Sequence, residues 1–363
     1  MTAARRRSLL WALPALGLIG MVRPSEAQQQ SCSAPYFVEQ AFPTAGPEQT
    51  RWKLCWQVQN GPNLVITGAW FRPDPRASWI KLIYDARVSQ LFVPYHAGWP
   101  RYLDVSFGFG SVPLAAGDCP GPAGTILGAA SELCKQVRDR GLAWKHDGLS
   151  RRGEELVLWS VLAAANYNYI VEWTFRDDGI VIGRVGATGQ IAGTDSHMHG
   201  PIWRLDLDLN GFCCDTVSKF THKESAGPTA TDSMTDVTTE AGFPWDPLAF
   251  TALHLRDAAL KNSLGHSSEW HLMPTRDGTP LHQEDFTKNA FWVTRYHWNE
   301  TFGDELPTYI ANAESVANSD VVLWYYGGLH HHVRDEDKDM THLMWVGFML
   351  KPYAVWAKTP LYP

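Results

Sequence analysis

Several motifs that define common enzyme classes are missing from this sequence of 363 residues. It has no glycine-rich phosphate-binding loop, no dinucleotide-binding fingerprint and no Gly-x-Ser-x-Gly elbow around a nucleophilic serine. It also has no internal repeat. Nucleotide-dependent enzymes and hydrolases of the serine-elbow type therefore find no support in the sequence.

Apolar runs long enough to cross a membrane are also missing. Three arginines at positions 5–7 precede an apolar run at residues 9–22, and Ser25-Glu26-Ala27 follows as a small-residue cleavage site. This order predicts a secretory signal peptide at residues 1–27. The run contains Pro14 and is shorter than the roughly 20 residues of a membrane-spanning helix. We therefore expect a soluble protein that is exported, to the periplasm or outside the cell, and is not embedded in a membrane. The arginine pair also permits twin-arginine export, and the choice of export route stays open.

Basic side chains are too few for a nucleic-acid-binding protein. Removal of residues 1–27 takes away four arginines and one glutamate, which leaves 27 basic and 37 acidic side chains and a formal charge of −10. A nucleic-acid partner is therefore not expected. The acidic balance mildly favours cationic substrates without identifying one.

Cysteine is scarce, and no Cys-x-x-Cys pair is present. Six cysteines in an exported chain favour disulfides over metal binding, because the compartment is oxidising. Cys119 and Cys134 close a short loop, and Cys32 with Cys55 would close another. In the adjacent pair Cys213-Cys214, the two residues bond to each other only with strain. The pairing of the four cysteines outside the first loop stays open.

The residues that are abundant point to β-structure. The chain is rich in Trp, Tyr and Phe, and Gly and Pro breakers separate short alternating stretches at residues 51–58, 64–71 and 79–84. This pattern is typical of antiparallel sheet. We expect one large all-β domain, or two. We also expect a long exposed loop at residues 221–242 and a short helix within residues 248–263.

One tyrosine-rich run lies within residues 156–182, which are predicted to form two β-strands joined by an Asp177-Asp178-Gly179 turn. The run is Asn166-Tyr167-Asn168-Tyr169. Because side chains alternate across a strand, Tyr167 and Tyr169 share one face and the two asparagines share the other. Taken alone, such a tyrosine is most often an ordinary aromatic residue of a β-sheet surface.

Histidines form a second group of candidates. His197 and His199 are two positions apart, so on a strand both project from one face, about 6 to 7 Å apart at Cα and within reach of one metal ion. A pair of surface histidines is the alternative. A further run, His330-His331-His332, lies inside the chain, and at least one of its members would complete a metal-binding set.

Taken together, these residues resemble the copper amine oxidases, whose quinone cofactor is made from a tyrosine of their own chain. The resemblance covers residues 84–363 with the motifs in order, and it includes Trp324 followed seven positions later by His331. It implies an all-β fold, a large antiparallel β-sandwich called the supersandwich, with few short helices. It further implies a single catalytic domain at residues 28–363, usually homodimeric, without the family's smaller N-terminal domains.

The resemblance also assigns roles to individual residues. Tyr167, preceded by Asn166, would be the precursor of topaquinone, and Asp104 would be the catalytic base. Tyr102 would be the gate residue, and Tyr95 would hydrogen-bond a quinone oxygen. The remaining implied sites are copper ligands His197, His199 and His331, a Cys119–Cys134 disulfide, and a possible second metal site for Ca²⁺ or another hard divalent ion at Asp206, Asp208 and Asp320.

The implied chemistry explains why these residue types are needed. Three neutral imidazoles with an open position suit Cu²⁺. The quinone withdraws electrons from a primary amine while Asp104 removes the α-proton, and O₂ is the final oxidant, so the products are an aldehyde, ammonia and hydrogen peroxide. A carboxylate base works near neutral pH when burial raises its pKa, and we expect Tyr102 and Phe107 to wall that pocket.

Two positions depart from the family pattern. Ala163 stands where a threonine is common, and Asn168 stands where an acid is common, so both bear on quinone formation. The main alternative is a copper- or zinc-binding protein of the same fold in which Tyr167 stays unmodified, with neither quinone nor peroxide formed. A more distant alternative is an unrelated all-β binding module with incidental histidines.

Overall fold

Most of the described chain is β-strand. The structure is a computed structural model, and it describes residues 32–96, 98–121, 124–191, 193, 195–209, 211, 214–224, 230–275 and 284–361. Contacts gather Ser33–Pro363 into one compact unit, and the fold given below is that of this unit. The predicted signal peptide at residues 1–27 lies outside the described residues.

The first half of the chain supplies strands from both sheets, and their lengths vary widely. They are β1 (Phe37–Phe42), β2 (Thr50–Gln59), β3 (Asn63–Arg72), β4 (Ile80–Pro94), β5 (Arg101–Leu103), β6 (Thr125–Leu127), β7 (Leu133–His146), β8 (Leu149–Ala164), β9 (Tyr167–Arg176) and β10 (Val181–Gly189).

The second half continues in the same way, with short helical segments between strands. Its strands are β11 (His197–Leu207), β12 (Asp215–Glu224), β13 (Ala230–Val237), β14 (Ala241–Phe243), β15 (Ala249–Lys261), β16 (Ser267–Thr275), β17 (Phe291–Arg295), β18 (Val321–Tyr326), β19 (Leu329–His331) and β20 (Thr341–Tyr353). The helical segments are α1 (Leu306–Tyr309) and 3₁₀ turns at Asp285–Thr287, Gly303–Glu305, Ile310–Asn312 and Asp335–Lys338. No helix in the described ranges is long and apolar enough to cross a membrane.

Two antiparallel sheets are formed by these strands. The first has the order β1-β2-β3-β4-β11-β18-β17-β14, with β5 beside β4 and β19 beside β11; the second has the order β13-β12-β15-β16-β20-β10-β9-β8-β7-β6. Rings from the two sheets pack on each other, Trp52 on Phe175 at 5.1 Å and Trp203 on Phe348 at 5.4 Å between centroids. The predicted large β-sandwich with few short helices is confirmed.

Strand β11 lies at the centre of the first sheet and is buried along its whole length. Trp203 and Leu205 face the core between the sheets. Ile202 faces a second apolar cluster that includes Leu306 of α1. Because both faces of β11 are covered, each polar side chain on it needs a partner inside the protein. The two histidines at its start are therefore placed in a dry environment.

Three local predictions were wrong. The expected loop at residues 221–242 contains the end of β12, all of β13 and the start of β14, and the expected helix at residues 248–263 is strand β15. Residues 156–182 hold three strands rather than two, because a tight turn at Ala165, with φ 53°, separates β8 from β9. Asn166 lies in that turn, and Tyr167 begins β9.

The disulfide implied by the resemblance is present. Cys119 and Cys134 are bonded, with 5.6 Å between their Cα atoms. Cys32, Cys55 and Cys214 are also disulfide-bonded. Cys213 lies outside the described residues.

Candidate active site

Three histidines at one end of the central strand of the first sheet converge in the interior. His197 and His199 begin β11, and β19 pairs with β11 so that His331 lies directly opposite His197. Their ring centroids are 4.8 Å apart for His197 and His199, 4.8 Å for His197 and His331, and 6.0 Å for His199 and His331. One nitrogen from each ring lies within 4.8 Å of the other two, and all three residues are buried. The two-residue spacing of His197 and His199 on β11, together with the pairing of the short strand β19, creates a compact three-imidazole cluster.

The outer nitrogen of each histidine is held by a hydrogen-bond acceptor. The three contacts are His197 Nδ1 to the carbonyl oxygen of Asp195 at 3.0 Å, His199 Nδ1 to the hydroxyl of Tyr169 at 2.9 Å, and His331 Nε2 to Oδ2 of Asp337 at 3.2 Å. Each outer nitrogen therefore carries the ring proton, which turns the lone pairs of His197 Nε2, His199 Nε2 and His331 Nδ1 towards a common centre.

These inner nitrogens fit a copper ion. Burial lowers the pKa of His197 to about 4 and that of His199 well below its ordinary value, so both rings are neutral and keep a lone pair. In the described part of the chain, the buried Nε2 of His199 has no hydrogen-bond partner. Three neutral imidazoles without a carboxylate or thiolate among them are a donor set suited to Cu²⁺ with an open coordination position.

Tyr167 points its hydroxyl into the same centre. The hydroxyl lies 3.0 Å from His197 Nε2 and 3.3 Å from His331 Nδ1, which are two of the metal-facing nitrogens. The side chain is buried, and burial raises the pKa of the phenol. A metal ion held by the histidines would therefore lie within reach of the Tyr167 oxygen.

The close approach of β10 to the start of β9 helps to fix the position of Tyr167. Gly189 of β10 lies opposite Tyr167 with φ +132°. A Cβ at Gly189 would lie 2.3 Å from the carbonyl oxygen of Asn166 and 2.8 Å from Cα of Tyr167. Because those atoms belong to the backbone, the close approach requires glycine.

Asp104 follows β5 and reaches the site through Tyr169. It is 7% exposed, and burial raises the pKa of its carboxyl to about 7, against the lowering effect of a hydrogen bond from Tyr169. The Tyr169 hydroxyl accepts from His199 Nδ1 and donates to Asp104, so it links the predicted base to a predicted copper ligand. A carboxyl with a pKa near 7 is suited to accept a proton at neutral pH.

Two further tyrosines lie beside the histidines. The ring of Tyr95 is stacked on His197, 4.5 Å between centroids and inclined by 19°. Tyr102 meets Tyr95 edge-on at 6.2 Å and is 41% exposed, which places it between the interior and solvent. Phe107, which with Tyr102 was expected to wall the pocket of Asp104, is 62% exposed, and its ring lies 6.5 Å from that of Tyr102 between centroids.

The two departures from the family pattern lie away from the cluster. Asn168 is exposed on the opposite face of β9, and its direct neighbour across the β8–β9 ladder is Ala163. The side chain of Asn166 is also exposed, in the turn before β9. The structure therefore does not bring these three side chains to the histidines.

The two histidines that flank His331 stay outside the cluster. His330 and His332 are exposed. The ring of His330 is stacked on His96 at 4.9 Å, and Nδ1 of His332 lies 3.2 Å from the Ser196 hydroxyl. Strand alternation thus selects His331 from the run of three.

The predicted second metal site is an acidic cluster at the far end of β11. Burial first, and repulsion from neighbouring aspartates second, raise the pKa of Asp206 to about 7 and that of Asp320 to about 8, with Arg204 acting in the opposite direction. Lys81 Nζ lies 2.6 Å from Oδ2 of Asp208. The carboxyl groups offer the oxygen donors that a hard cation prefers, and Lys81 already neutralises one of them.

Sequence reasoning missed several residues of these sites. Asp337 holds His331, Tyr169 joins His199 to Asp104, and Asp215 belongs to the acidic cluster, where burial and other aspartates raise its pKa to about 8. In the described residues, the Oδ1 atoms of Asp208 and Asp215 are both buried without a hydrogen-bond partner. The position of Tyr169 two residues after Tyr167 was the available signal for its role, whereas Asp337 lies among other acids that sequence alone cannot rank.

Comparison with known proteins agrees with this geometry. A family profile described as the copper amine oxidase enzyme domain matches residues 49–200 and 192–362. The copper-containing amine oxidase gamma 2 of Arabidopsis thaliana is 25% identical over 85% of this chain and 58% of its own length. The primary amine oxidase of Klebsiella aerogenes is 25% identical over 77% of this chain and 48% of its own length. The chain thus spans about half the length of these relatives.

A solved structure shows the same fold. The copper-containing benzylamine oxidase from Hansenula polymorpha superimposes with a TM-score of 0.73 at 19% identity, over 86% of this chain and 61% of that one. At this identity the likeness concerns the fold alone. Because the family profile matches most of the sequence, the chain belongs to the copper amine oxidase family.

Proposed function

We propose that this protein is a primary-amine oxidase that converts a primary amine, O₂ and water to an aldehyde, ammonia and hydrogen peroxide. The observation that carries the proposal is the position of Tyr167, whose hydroxyl lies 3.0 Å from a metal-facing histidine nitrogen. That arrangement suits conversion of Tyr167 to topaquinone at a copper ion. The alternative, a metal-binding protein with unmodified Tyr167, does not require Asp104 with its raised pKa.

Different residues of the site have different roles in the proposed reaction. His197, His199 and His331 hold copper, which together with the quinone supplies the redox chemistry. Asp104 accepts the α-proton of the amine at its carboxylate. Tyr169 donates a hydrogen bond to that carboxylate and fixes its direction.

Tyr95 and Tyr102 shape the approach to the site. Tyr95 packs on His197 and limits the movement of that ring. Tyr102, which is partly exposed, stands where a substrate passes from solvent to Asp104. A small primary amine is the substrate class that family membership supports, and the identity of the amine is left to a substrate screen.

Further properties belong to the same proposal. The apolar run at residues 9–22 supports export to the periplasm or outside the cell, and the bonded cysteines are compatible with an oxidising compartment. Family membership supports a homodimer. The buried carboxylates at Asp206, Asp208 and Asp320, together with Asp215, support a bound Ca²⁺ or a similar divalent ion.

Substitution of the predicted base tests the proposal. Asp104→Asn is expected to bind copper and to form the quinone but to lose turnover by about 10²- to 10⁴-fold in kcat, the range typical of a general base. Peroxide release and quinone absorbance are measured on the same sample. Asp147→Asn, in the exposed β7–β8 turn, is the matched control and should keep full activity. Equal peroxide release from wild type and Asp104→Asn would remove Asp104 from the reaction, and no peroxide from any form would favour the metal-binding alternative.

A further inference from the structure

A second histidine cluster lies on the outer face of the second sheet. Strands β15 and β16 pair so that His254 is directly opposite His271, and Glu269 is two positions before His271 on the same face. Leu253 and Leu255, on either side of His254, belong to the core between the sheets, so the cluster faces away from that core. Two strands, β20 and β10, separate β16 from β9. The cluster is therefore distinct from the candidate active site.

The three side chains have nearly the spacing of metal ligands. Oε2 of Glu269 forms a hydrogen bond with Nε2 of His271 at 3.2 Å and lies 3.7 Å from Nδ1 of His254, and all three ligand atoms are within 4.8 Å of one another. Bonds of about 2.0 to 2.1 Å in a tetrahedral zinc site place neighbouring ligand atoms about 3.3 to 3.4 Å apart. Two of the three separations are thus already close to those of a bound ion.

His254 holds Nδ1 towards Glu269 from a buried position. The residue is 8% exposed, and its Nδ1 has no hydrogen-bond partner within the ranges that the structure describes. Burial lowers the pKa of His254 to about 4, so the ring is neutral. Arg256 Nη1 lies 3.9 Å from Oε1 of Glu269, which is beyond hydrogen-bonding distance. A cation bound by Oε2 of Glu269 would replace its hydrogen bond with His271 and give the buried His254 nitrogen a partner.

A row of aromatic rings holds the two imidazoles in place. The rings of His254 and His271 are stacked, 3.5 Å between centroids and inclined by 6°. Phe220 of β12 packs near His254 at 5.4 Å, and Tyr353 of β20 packs near His271 at 4.9 Å. This stacking brings both rings to Glu269 but holds their in-plane lone pairs in two separate, nearly parallel planes. Binding of an ion therefore requires the two rings to turn apart until the lone pairs converge.

We propose that His254, Glu269 and His271 form a binding site for a first-row divalent cation, represented by Zn²⁺, which ties β15 to β16 on the outer face of the sheet. Two imidazoles and one carboxylate are a known donor set for zinc and leave a fourth position for water. The same donors bind Cu²⁺ more tightly than Zn²⁺. The test therefore uses enzyme that already carries a single equivalent of copper in its histidine triad.

The test compares zinc content among variants. Copper-loaded enzyme is cleared of excess metal, saturated with Zn²⁺, desalted and measured by elemental analysis. Wild type is expected to keep one more zinc per chain than Glu269→Gln or His254→Phe, and the phenylalanine preserves the aromatic stack. His266→Gln removes an exposed histidine from the turn of the same hairpin and should retain the wild-type zinc content.

The proposal fails if wild type retains no zinc, or if both cluster variants retain as much zinc as wild type. It also fails if His254→Phe loses zinc while Glu269→Gln does not, because the carboxylate is then not a ligand. Peroxide release should be unchanged in all four proteins, since none of these substitutions touches Tyr167 or the histidine triad. The outcome is therefore independent of whether the chain oxidises amines.

Discussion

The outer nitrogens of the three histidines are held by a carbonyl, a phenol and a carboxylate, and the carboxylate differs from the other two in carrying a full charge. Although burial acts against it, hydrogen bonds from Arg334 and His331 lower the pKa of Asp337 to about 2. Asp337 is therefore ionised at every working pH. A charged acceptor fixes the ring of His331 and raises the basicity of its Nδ1.

Removal of this carboxylate should weaken the metal site. Asp337→Ala is expected to lower copper affinity by about 10- to 100-fold, the usual effect of losing a hydrogen-bond partner of a metal-bound histidine. Competition with a copper chelator measures the affinity. Asp335→Ala is the matched control, because Asp335 is an exposed neighbour that pairs with Lys338. Equal copper affinity in the two variants would mean that Asp337 only supports its local 3₁₀ turn.

Asp104 should set the pH dependence of the reaction. Its pKa is raised to about 7, and a general base must be deprotonated to accept a proton. We therefore expect kcat, measured at saturating amine, to rise about tenfold per pH unit below pH 7 and to level off above it. Steady-state rates between pH 5 and pH 9 provide the measurement. A rate that is flat or falls with pH across this interval would contradict the assignment.

At the scale of elements, the hairpin that presents Tyr167 depends on one glycine. Gly189→Ala would force a Cβ against the backbone of Asn166 and Tyr167 at a φ of +132°. The expected loss of stability is about 1 to 3 kcal/mol, with slower quinone formation because Tyr167 is displaced. Chemical denaturation and the rate of colour development after copper addition are the measurements. Gly117→Ala, at a position with open space around it, should change neither quantity.

The local sequence pattern predicted most strands. It failed to predict secondary structure where the surrounding fold determines whether a segment is strand, loop or helix. The β12–β13 hairpin is polar and lies at the edge of the second sheet, so it has no apolar alternation. The sequence therefore predicts a loop at residues 221–242. In β15, a short helix is predicted within residues 248–263. The Asp257 carboxylate instead accepts the backbone N–H groups of Ala259 and Leu260, at the point where the register with β16 shifts. A local bulge and a helix start look alike in sequence.

The site could be predicted residue by residue only through the family resemblance. His197 and His199 are readable as a pair from their spacing. The third histidine, His331, is positioned by the pairing of β19 with β11. Tyr167 lies on β9 of the other sheet. Contacts between residues so distant in sequence are set by the packing of two sheets, which no local pattern encodes. For the same reason the sequence does not predict the roles of Asp337 and Asp215.

At the scale of the whole molecule, the acidic cluster at the far end of β11 should couple stability to a cation. Ca²⁺ is expected to raise the unfolding temperature of copper-loaded enzyme, because it relieves repulsion among Asp206, Asp215 and Asp320; saturation to about 100 times Kd adds about 2.7 kcal/mol. Thermal unfolding with Ca²⁺ and with a calcium-selective chelator measures the effect. Asp320→Asn should lose the response, and Asp74→Asn, in an exposed turn, should keep it. A wild-type midpoint indifferent to Ca²⁺ would mean that Lys81 and Arg204 suffice to balance the cluster.

The most direct test of the proposed activity is the fate of Tyr167 when copper and air are supplied. The mature chain is expressed without copper, Cu²⁺ is added in air, and the visible spectrum is followed before phenylhydrazine labelling and peptide mapping. A new quinone band and a label on the peptide containing Tyr167, both missing in Tyr167→Phe, are the predicted result. Copper bound by the histidines beside a Tyr167 that remains an ordinary tyrosine would contradict the oxidase assignment and leave a copper-binding protein of the same fold.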